Sequence, residues 1–444
     1  MLHCSFREIR LSMMGWAVVL WAVAHATAAV ETAFPGAEGW AASTPGGRGG
    51  QVLRVTTLAA DGPGSLVEAL RTKGPRIIVF EAGGVIDLGS LTAPRNTSVA
   101  IRDPFLTIAG QTAPSPGITL IRGGLSIETH DVVIQHIRVR PGTGGYAKKI
   151  GWEPDGISTE GGGVNVIIDH CSFSWSVDEN LSVSGKAFEG ATADEWRKNT
   201  SHRVTFSHNI IAEGLSHATH ASGEHSKGSL VMDNASDILI TRNLYADCSQ
   251  RHPLAKGGTR VAIVNNFIFN PGAQAVGYRL PDILWRGRKL EDGWMDLVGN
   301  VMRAGHDTRP GLPLLVLEGI GDLRLHSKDN MVVDRVGLPA PLTALAKGAT
   351  GRILEHPVPV NWPPGLEVIP VTQVEESVLR NAGARPWDRD AIDRRIVLQS
   401  QQRTGRIIDS EQQVGGYPEV PETRRSFDPA EWDLRTMIPR EAGR

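Results

Sequence analysis

The chain has 444 residues, 41% of them apolar and 21% charged, and its 46 basic and 48 acidic side chains leave a formal net charge of −2. This apolar fraction excludes a disordered chain, and the balanced charge argues against a dedicated nucleic-acid binder. The 50 glycines and 27 prolines follow no collagen period and indicate many turns in a β-rich protein, which leaves an enzyme and a binding scaffold both open.

The first 28 residues have the pattern of a secretory signal peptide. Arg7 and Arg10 precede an apolar run over 13–24, and residues 26–28 offer the small side chains that a signal peptidase accepts. The run is shorter than the ~20 residues that cross a bilayer, which favours cleavage over a membrane anchor. We therefore predict export, to a periplasm or to the medium.

Short runs of β-branched residues alternate with Gly, Asn and Asp through most of the remaining chain, which is typical of short β-strands. The predicted strands cover 76–80, 132–139, 164–169, 204–211, 238–245, 261–269 and 295–301. Helical patterns are scarce, and the predicted helices cover 66–71, 192–198 and 388–402.

Six of these runs resemble one another and align in one column at intervals of 34, 38, 34, 23 and 34 residues. The residues of that column are Ile137, Cys171, Asn209, Asn243, Asn266 and Asn300. Such a period indicates a solenoid or a propeller, and the unequal intervals argue against propeller blades. Asn residues flanked by apolar residues suit stacked bends whose amides hydrogen-bond from coil to coil. We predict an all-β protein, a right-handed parallel β-helix.

The repeat fades after residue 333, and a Pro-rich stretch covers 339–370. We predict a catalytic β-helix domain over 29–345 and a C-terminal segment over 346–444 that packs along its outside and covers strand edges. A linker that leads to a small binding module is the alternative. Cys171 and Cys248 are predicted either to pair in an oxidising compartment or to be two free thiols in the core.

Four carboxylates form the first group that could carry chemistry: Asp155, Asp169, Asp178 and Glu179. Acidic residues on neighbouring coils can gather the oxygen ligands that Ca²⁺ prefers. Acidic residues near turns are also commonly just solvated, so this pattern alone leaves both interpretations open.

The polar stretch over 213–227 forms the second group and contains His217, His220, His225 and Lys227. Its composition predicts a loop over the surface of the β-helix. The histidines are numerous enough for a zinc site, but the HExxH pattern and a cysteine ligand are lacking, so a loop that orders a substrate ranks first.

Arg251, His252 and Lys256 form the third group, directly after a predicted strand. Arg and Lys presented by adjacent coils make a cationic strip that suits a polyanion. Ordinary surface charge is the alternative on composition alone.

From residue 34 to residue 418 the chain resembles the pectate lyases of the bacterial β-helix polysaccharide lyase family. The resemblance is carried by FPGAEGWA, TPGGRGGQV, DGPGSLVEAL, GQTAPSPGITL, IIDHCSFSWSVDEN, HSKGSL and RHP. The most specific piece, IIDHCSFSW, resembles the family's strand with a calcium-ligating Asp before His. The resemblance implies a secreted monomer that cleaves polygalacturonate by Ca²⁺-assisted β-elimination, with no nucleic-acid or membrane partner.

The resemblance also implies a role for individual residues. Asp169 and Asp178 are predicted to bind Ca²⁺, and Glu179 is predicted to compensate for Ser182, which stands where the family has its second carboxylate. Lys227 is predicted to contact the substrate carboxylate.

Arg251 is predicted to be the catalytic base, with His217 or His252 as the alternative base. Lys256, His217, His225 and His252 are predicted to bind substrate. Lys256 stands where the family usually has a second Arg, and Lys keeps the charge but loses bidentate carboxylate binding.

Three other functions stay open. A pectin lyase would act on methylated substrate without calcium, and a β-helix hydrolase would use paired carboxylates and add water. A non-catalytic carbohydrate-binding β-helix would bind polygalacturonate without shortening it.

Overall fold

The computed structural model describes Met1 and residues 31–440, and the chain from Gln51 to Glu355 winds into a parallel β-helix. From Arg76 to Leu345 the strands fall on three sheets in strict rotation, so one coil of chain adds one strand to each sheet. The prediction of an all-β parallel β-helix is confirmed. The predicted signal peptide over 1–28 lies outside the described residues, apart from its first methionine.

The strands of the three sheets, in chain order, are as follows. The first sheet contains Gln51–Val55, Arg76–Phe80, Leu106–Ala109, His130–Gln135, Val164–Asp169, His202–Ser207, Ser236–Thr241, Arg260–Val264, Gly293–Val298, Leu323–Lys328 and Ile353–Glu355. The second contains Ala82–Asp87, Ile118–Ile121, Ile137–Arg140, Ser172–Ser174, Ile210–Ala212, Leu244–Ala246, Phe267–Phe269, Val301–Arg303, Met331–Val333 and the antiparallel Thr423–Arg424. The third contains Ser98–Ile101, Gly124–Ile127, Ile157–Ser158, Glu179–Val183, Lys227–Val231, Leu254–Lys256, Val276–Leu280, Leu315–Gly319 and Thr343–Leu345.

A short hairpin and several short helices complete the described chain. The hairpin pairs Trp432–Asp433 with Ile438–Pro439. The α-helices are Leu66–Arg71, Ala193–Asn199, Asp282–Trp285, Val371–Asn381 and Ala391–Gln402, and the 3₁₀ turns are Leu88–Ser90, Gly110–Thr112, Glu411–Val414 and Pro429–Glu431. The helix predicted over 66–71 is confirmed, and those predicted over 192–198 and 388–402 are present with shifted ends. None of the described helices is long and apolar enough to cross a membrane.

The core consists of apolar side chains that stack from coil to coil. Alternate residues of the first-sheet strands point inward, and two rows of them are fully buried: Val166, Val204, Ile238, Val261 and Met295, and Ile168, Phe206, Ile240, Ile263 and Leu297. Burying one such side chain contributes about 1.5–3 kcal/mol, so these rows hold neighbouring coils together.

Asn209, Asn243, Asn266 and Asn300 form a continuous hydrogen-bonded ladder. At each step the side-chain oxygen of the following Asn accepts from the backbone N–H and from the side-chain amide of the preceding one, at 2.9–3.0 Å. Asn330 adds a further step to Asn300, at 2.9 and 3.0 Å. The predicted Asn stack is therefore confirmed, and it continues one coil beyond the column read from the sequence.

The residue before each position of the aligned column has left-handed backbone, and before Asn300 this residue is Gly299, with a φ angle of 64°. The φ angles are 59° at His136, 47° at His170, 53° at His208, 55° at Arg242 and 54° at Asn265. One left-handed residue turns an extended chain sharply. The stretch predicted as a single strand over 204–211 is therefore two strands of different sheets.

The helical part of the chain after Glu355 packs on the outer face of the second sheet. Its helices Val371–Asn381 and Ala391–Gln402 bury apolar side chains against that sheet. Within the second helix, Asp393 accepts hydrogen bonds from Arg138 Nε at 3.1 Å and from Arg140 at 2.7 Å. These three side chains are almost fully buried, so the tail is fixed to the sheet by ion pairs as well as by apolar contacts.

Two sequence predictions are corrected or decided by these observations. The first sheet continues to Ile353–Glu355, so the β-helix extends past the boundary predicted at residue 345. Cys171 and Cys248 are free and buried, which excludes the disulfide between them.

Candidate active site

Polar side chains converge where strands of the third sheet begin. Glu179 and Lys227 open neighbouring strands and pair with each other in register. Gln250 bridges to Lys227 from the following coil, and Arg251 comes directly after it. Since paired strands lie about 4.8 Å apart, the coil geometry places these side chains side by side.

Three carboxylates, Asp155, Asp178 and Glu179, form what we call the acidic cluster. Each offers one carboxylate oxygen, and these oxygens lie within 4.8 Å of one another. Asp155 accepts hydrogen bonds from the Glu179 backbone N–H at 3.1 Å and from the Ser182 hydroxyl at 2.7 Å. Burial, followed by the charge of Asp178, raises the pKa of Asp155 well above its ordinary value.

Asp178 is bound to the loop over 213–226. His225 Nε2 lies 2.8 Å from one of its oxygens, and His220 Nε2 lies 4.0 Å from the other. The two imidazole rings stack with their centroids 3.6 Å apart. Burial opposes ionisation of Asp178, but the hydrogen bond and charge of His225 outweigh it and lower the pKa. Asp178 is therefore a carboxylate at neutral pH.

Lys227 and Arg251 form what we call the basic pair. Lys227 Nζ donates to Gln250 Oε1 at 2.5 Å, and Arg251 forms a close ion pair with Glu179. Burial lowers the pKa of both side chains, and the charge of Asp178 opposes this shift in each case. Two partly desolvated cations beside three carboxylates can bind an anionic group together with a cation.

The acidic cluster fits a hard divalent cation. Ca²⁺ takes about six to eight oxygen ligands, so three carboxylates would leave positions for water or for a carboxylate of a ligand. The raised pKa of Asp155 has the charge of Asp178 as one of its causes, and a divalent cation between them would remove that repulsion.

The structure does not bring Asp169 to Asp178 and Glu179, with which it is predicted to bind a metal, but groups it with His170 and His208. Asp169 ends the first-sheet strand Val164–Asp169, and two bends with the strand Ser172–Ser174 separate it from Glu179. The resemblance of Asp169 and His170 to the family's calcium-binding motif therefore predicted a metal site at a different bend of the β-helix from the acidic cluster.

Asp169 instead holds a stack of histidines together. It accepts hydrogen bonds from Gln135 at 3.0 Å and Ser207 at 2.7 Å, and its oxygens lie 2.7 and 3.3 Å from Nδ1 of His170 and His208. Burial opposes ionisation, but the two histidines hold the pKa of Asp169 well below its ordinary value.

Two histidines predicted to bind substrate lie away from the cluster. His252 is fully buried, with Nδ1 3.0 Å from the Gln274 carbonyl oxygen and its ring edge-on to Tyr245. Burial lowers the pKa of His252 to about 4, so it is neutral. His217 is at the surface, 3.3 Å from Asp409. His252 directly follows Arg251, but its side chain packs in the core, and His217 contacts the C-terminal segment.

Lys256 and His225 each have a protein partner. Lys256 ends the strand that follows Arg251, and its Nζ lies 2.8 Å from the buried Asp233. Lys256 therefore neutralises the Asp233 carboxylate, at the end of the strand opposite to Arg251. His225 does lie at the site, where it contacts Asp178.

The zinc site of three histidines is not supported, because His220 and His225 group with Asp178 and not with His217. His220 Nδ1 accepts a hydrogen bond from the Ser222 backbone N–H at 3.1 Å. In neutral His220 the proton is then on Nε2, the nitrogen nearest Asp178, so that nitrogen has no free lone pair for a metal. The loop itself is as predicted, but much of it is buried under the C-terminal segment rather than exposed.

Asp155 belongs to the first acidic group of the sequence analysis, but the resemblance gave it no role in metal binding. It precedes the two-residue strand Ile157–Ser158, which is too short to read from a pattern. Pairing of Ile157 with Leu181 brings Asp155 beside Glu179. Its acidic side chain was the signal available in the sequence.

A scan against protein-family models finds no match. Among curated proteins, the chain is 39% identical over 241 residues to the Probable pectate lyase C of Emericella nidulans, covering 54% of this chain and 48% of that protein. It is 30% identical over 415 residues to the protein of the same name from Aspergillus fumigatus (strain CBS 144.89), covering 92% of this chain and 86% of that protein. The chain thus spans about half the length of the first relative and most of the second. Both are fungal, so the bacterial part of the resemblance is not supported.

Among solved structures, the fold is similar to that of the thermostable pectate lyase PL 47, with a TM-score of 0.54 and 17% identity, covering 78% of this chain and 97% of that one. It is also similar to a pectate lyase bound to hexasaccharide, with a TM-score of 0.53 and 16% identity, covering 80% of this chain and 98% of that one. At these identities the likeness shows the fold alone.

Proposed function

Because the chain belongs to the pectate lyase family, we propose that it cleaves polygalacturonate by calcium-assisted β-elimination and releases unsaturated oligogalacturonides. The observation that carries this proposal is that the acidic cluster and the basic pair share one edge of the third sheet. A uronic acid bound there would have its carboxylate between a cation site and Lys227.

The chemistry of the substrate explains why such a site is needed. Elimination removes the proton on C5 of a galacturonate and expels the glycosidic oxygen on C4, without water. The C5 proton is too weakly acidic while the neighbouring carboxylate keeps its full negative charge. Groups that neutralise that carboxylate stabilise the enolate-like transition state.

Asp155, Asp178 and Glu179 would hold the ion, with Ser182 orienting Asp155 through its hydrogen bond. When bound, Ca²⁺ supplies positive charge that neutralises the substrate carboxylate. Lys227 is placed to donate to the same carboxylate from the neighbouring coil.

Arg251 is the base in this proposal. It must lose a proton before it can take the one on C5, and its burial lowers the pKa in the required direction. Asp178 and Asp155 oppose that shift, so it is larger when a cation neutralises them. We expect activity to be highest in alkaline solution.

The test incubates purified protein with polygalacturonate, with calcium or with a chelator. We expect ultraviolet absorbance from the new double bond to rise with calcium only. Methylated pectin cleaved without calcium would indicate a pectin lyase, products without the double bond a hydrolase, and unshortened polymer a binding protein.

The role of Arg251 is tested by Arg251→Ala and Arg251→Lys, with Arg352→Ala as the matched control because Arg352 is exposed and pairs with Asp322 on a distant coil. We expect turnover to fall about 10³-fold in Arg251→Ala, within the range for loss of a catalytic base. Turnover close to wild type in both Arg251 variants would contradict the assignment.

We also propose that the chain is exported as a monomer after removal of residues 1–28, and that residues beyond 355 serve to wrap the β-helix. The signal pattern supports export. Sequencing the N-terminus of the protein recovered from outside the cytoplasm tests it, and an uncleaved Met1 would contradict it.

A further inference from the structure

A cavity of about 1160 Å³ opens at the bend between the first and second sheets. Its floor is the histidine stack around Asp169, and its walls are residues 34–36, the segment around Trp387 and the C-terminal hairpin. No residue of the acidic cluster or basic pair lines it. A volume of this size is at or above the range typical of small-molecule sites.

The floor contains three stacked imidazole rings. The rings of His136 and His170 stack with centroids 5.2 Å apart, and those of His170 and His208 with centroids 4.4 Å apart. Burial lowers the pKa of His136 and of His208. Asp169 uses both oxygens within the stack, so it offers little charge to the cavity.

Aromatic side chains at the wall suit a sugar ring. Trp387 is 62% exposed, although it contacts His136 edge-on at 4.9 Å. An exposed indole face beside a cavity is a surface on which the C–H face of a pyranose can pack. The Trp432 indole N–H and His136 Nδ1, both on lining residues, have no hydrogen-bond partner in the described chain.

The charge around the cavity favours an acidic ligand. Three arginines, Arg385, Arg425 and Arg440, line it with two carboxylates, Asp169 and Glu431. Arg425 pairs with Glu431, and Arg385 pairs with Asp388. Among residues 31–440 Arg440 has no ion pair, and its exposed guanidinium at the rim can bind an anion.

We propose that this cavity is a second carbohydrate site that binds short oligogalacturonides, with Trp387 stacking on a sugar ring and Arg440 pairing with a uronate carboxylate. The proposal rests on the proposed function for the identity of the sugar. It assigns no chemistry to the cavity. The site would keep the protein close to fragments of the polymer that it cleaves.

The test uses the full chain with Lys227→Ala and Arg251→Ala together, in chelator, so that neither cleavage nor calcium-dependent binding contributes. Trigalacturonate is titrated in a calorimeter. We expect binding to persist in this background, to weaken at least tenfold when Trp387→Ala is added, and to weaken severalfold with Arg440→Gln. Trp294→Ala is the matched control, because Trp294 packs under Arg260 on another part of the first sheet.

Each other outcome overturns the proposal. These are absence of binding in the double variant, unchanged affinity in both Trp387→Ala and Arg440→Gln, and equally tight binding of a neutral galactotriose. Melting curves of the variants separate loss of binding from loss of fold. Activity of the unmodified protein on polygalacturonate is measured separately, so failure of the proposed function and failure of this site give different results.

Discussion

Ser182 and Asp155 illustrate how one hydrogen bond prepares a carboxylate for a cation. The Ser182 hydroxyl donates to one oxygen of Asp155, and the Glu179 backbone N–H donates to the other. The carboxylate is therefore oriented even though burial disfavours its charge. By the resemblance, Ser182 stands where the family has an acidic residue, and in the proposed cation site it would position a ligand instead of supplying one.

Calcium binding distinguishes Asp169, which the sequence motif favours as a ligand, from Asp155, which the structure favours. We expect Asp155→Asn to weaken Ca²⁺ binding at least tenfold, because ligand charge sets calcium affinity. Asp169→Asn should leave Ca²⁺ affinity unchanged and lower the melting temperature, since Asp169 holds His170 and His208. Titration calorimetry with Ca²⁺ alone measures the first effect. Equal loss of affinity in both variants would restore the sequence-based assignment.

Asp247 is a buried acid whose ionisation opposes folding. Burial, with smaller contributions from Glu213 and Asp307, raises its pKa to about 8. The folded chain keeps a proton that the unfolded chain releases near pH 4, so stability is lost as the pH rises toward 8. Asp247→Asn preserves the acceptor for the Asn270 amide and removes this loss. We expect urea midpoints of variant and wild type to diverge between pH 5 and pH 9, with the variant higher at pH 9. Parallel curves would contradict the shift.

At the scale of elements, the Asn ladder holds the bends in register. Asn243→Ala would leave the Asn209 backbone N–H without its acceptor, the Asn209 amide with only the Ile168 carbonyl, and the Phe206 carbonyl without the Asn243 amide. We expect a loss of about 2–3 kcal/mol in unfolding free energy, because buried polar groups without partners cost about 1–3 kcal/mol. Denaturant unfolding measures it. Asn330→Ala, at the less buried end of the ladder, is the matched control and should lose less.

The coils could be predicted from sequence because each of them obeys a local rule. Period-two apolar residues fix the inward rows, and a repeated Asn fixes the bend. The column read from sequence ended at Asn300, because the charged residues Lys328 and Asp329 interrupt the apolar pattern before Asn330. The helix Val371–Asn381 was missed since it follows a Pro-rich stretch, and its apolar face has meaning only against the second sheet.

The candidate site could be predicted in part. Asp178, Glu179, Lys227 and Arg251 were found because motifs carried them, and coil pairing does bring them together. The resemblance gave a metal-binding role to Asp169 and none to Asp155, since sequence order does not say which of three bends a residue occupies. The interior place of His252 depends on contacts from other coils, which no local pattern reveals.

At the scale of the whole molecule, the C-terminal segment is joined to the β-helix by buried ion pairs. Asp393 serves both Arg138 and Arg140 and also accepts from the Ser172 hydroxyl at 2.7 Å. Asp393→Ala leaves two buried guanidinium groups short of a partner, and breaking such pairs costs about 3–5 kcal/mol. We expect a clear fall in melting temperature and faster proteolysis after residue 370. Asp388→Ala, nearer the surface, is the control, and equal effects of the two variants would contradict a clamp at Asp393.

The Asn ladder also sets how such a molecule can change in size. Each rung depends only on the coil above and the coil below, so a whole turn of chain could be inserted or deleted without disturbing distant ones, provided that the new neighbours each present an Asn. Insertion or deletion of part of a turn would interrupt the hydrogen bonds of the Asn ladder. Length variation among relatives should therefore come in complete turns or in loops outside the bends, and the spacing of asparagines should record it.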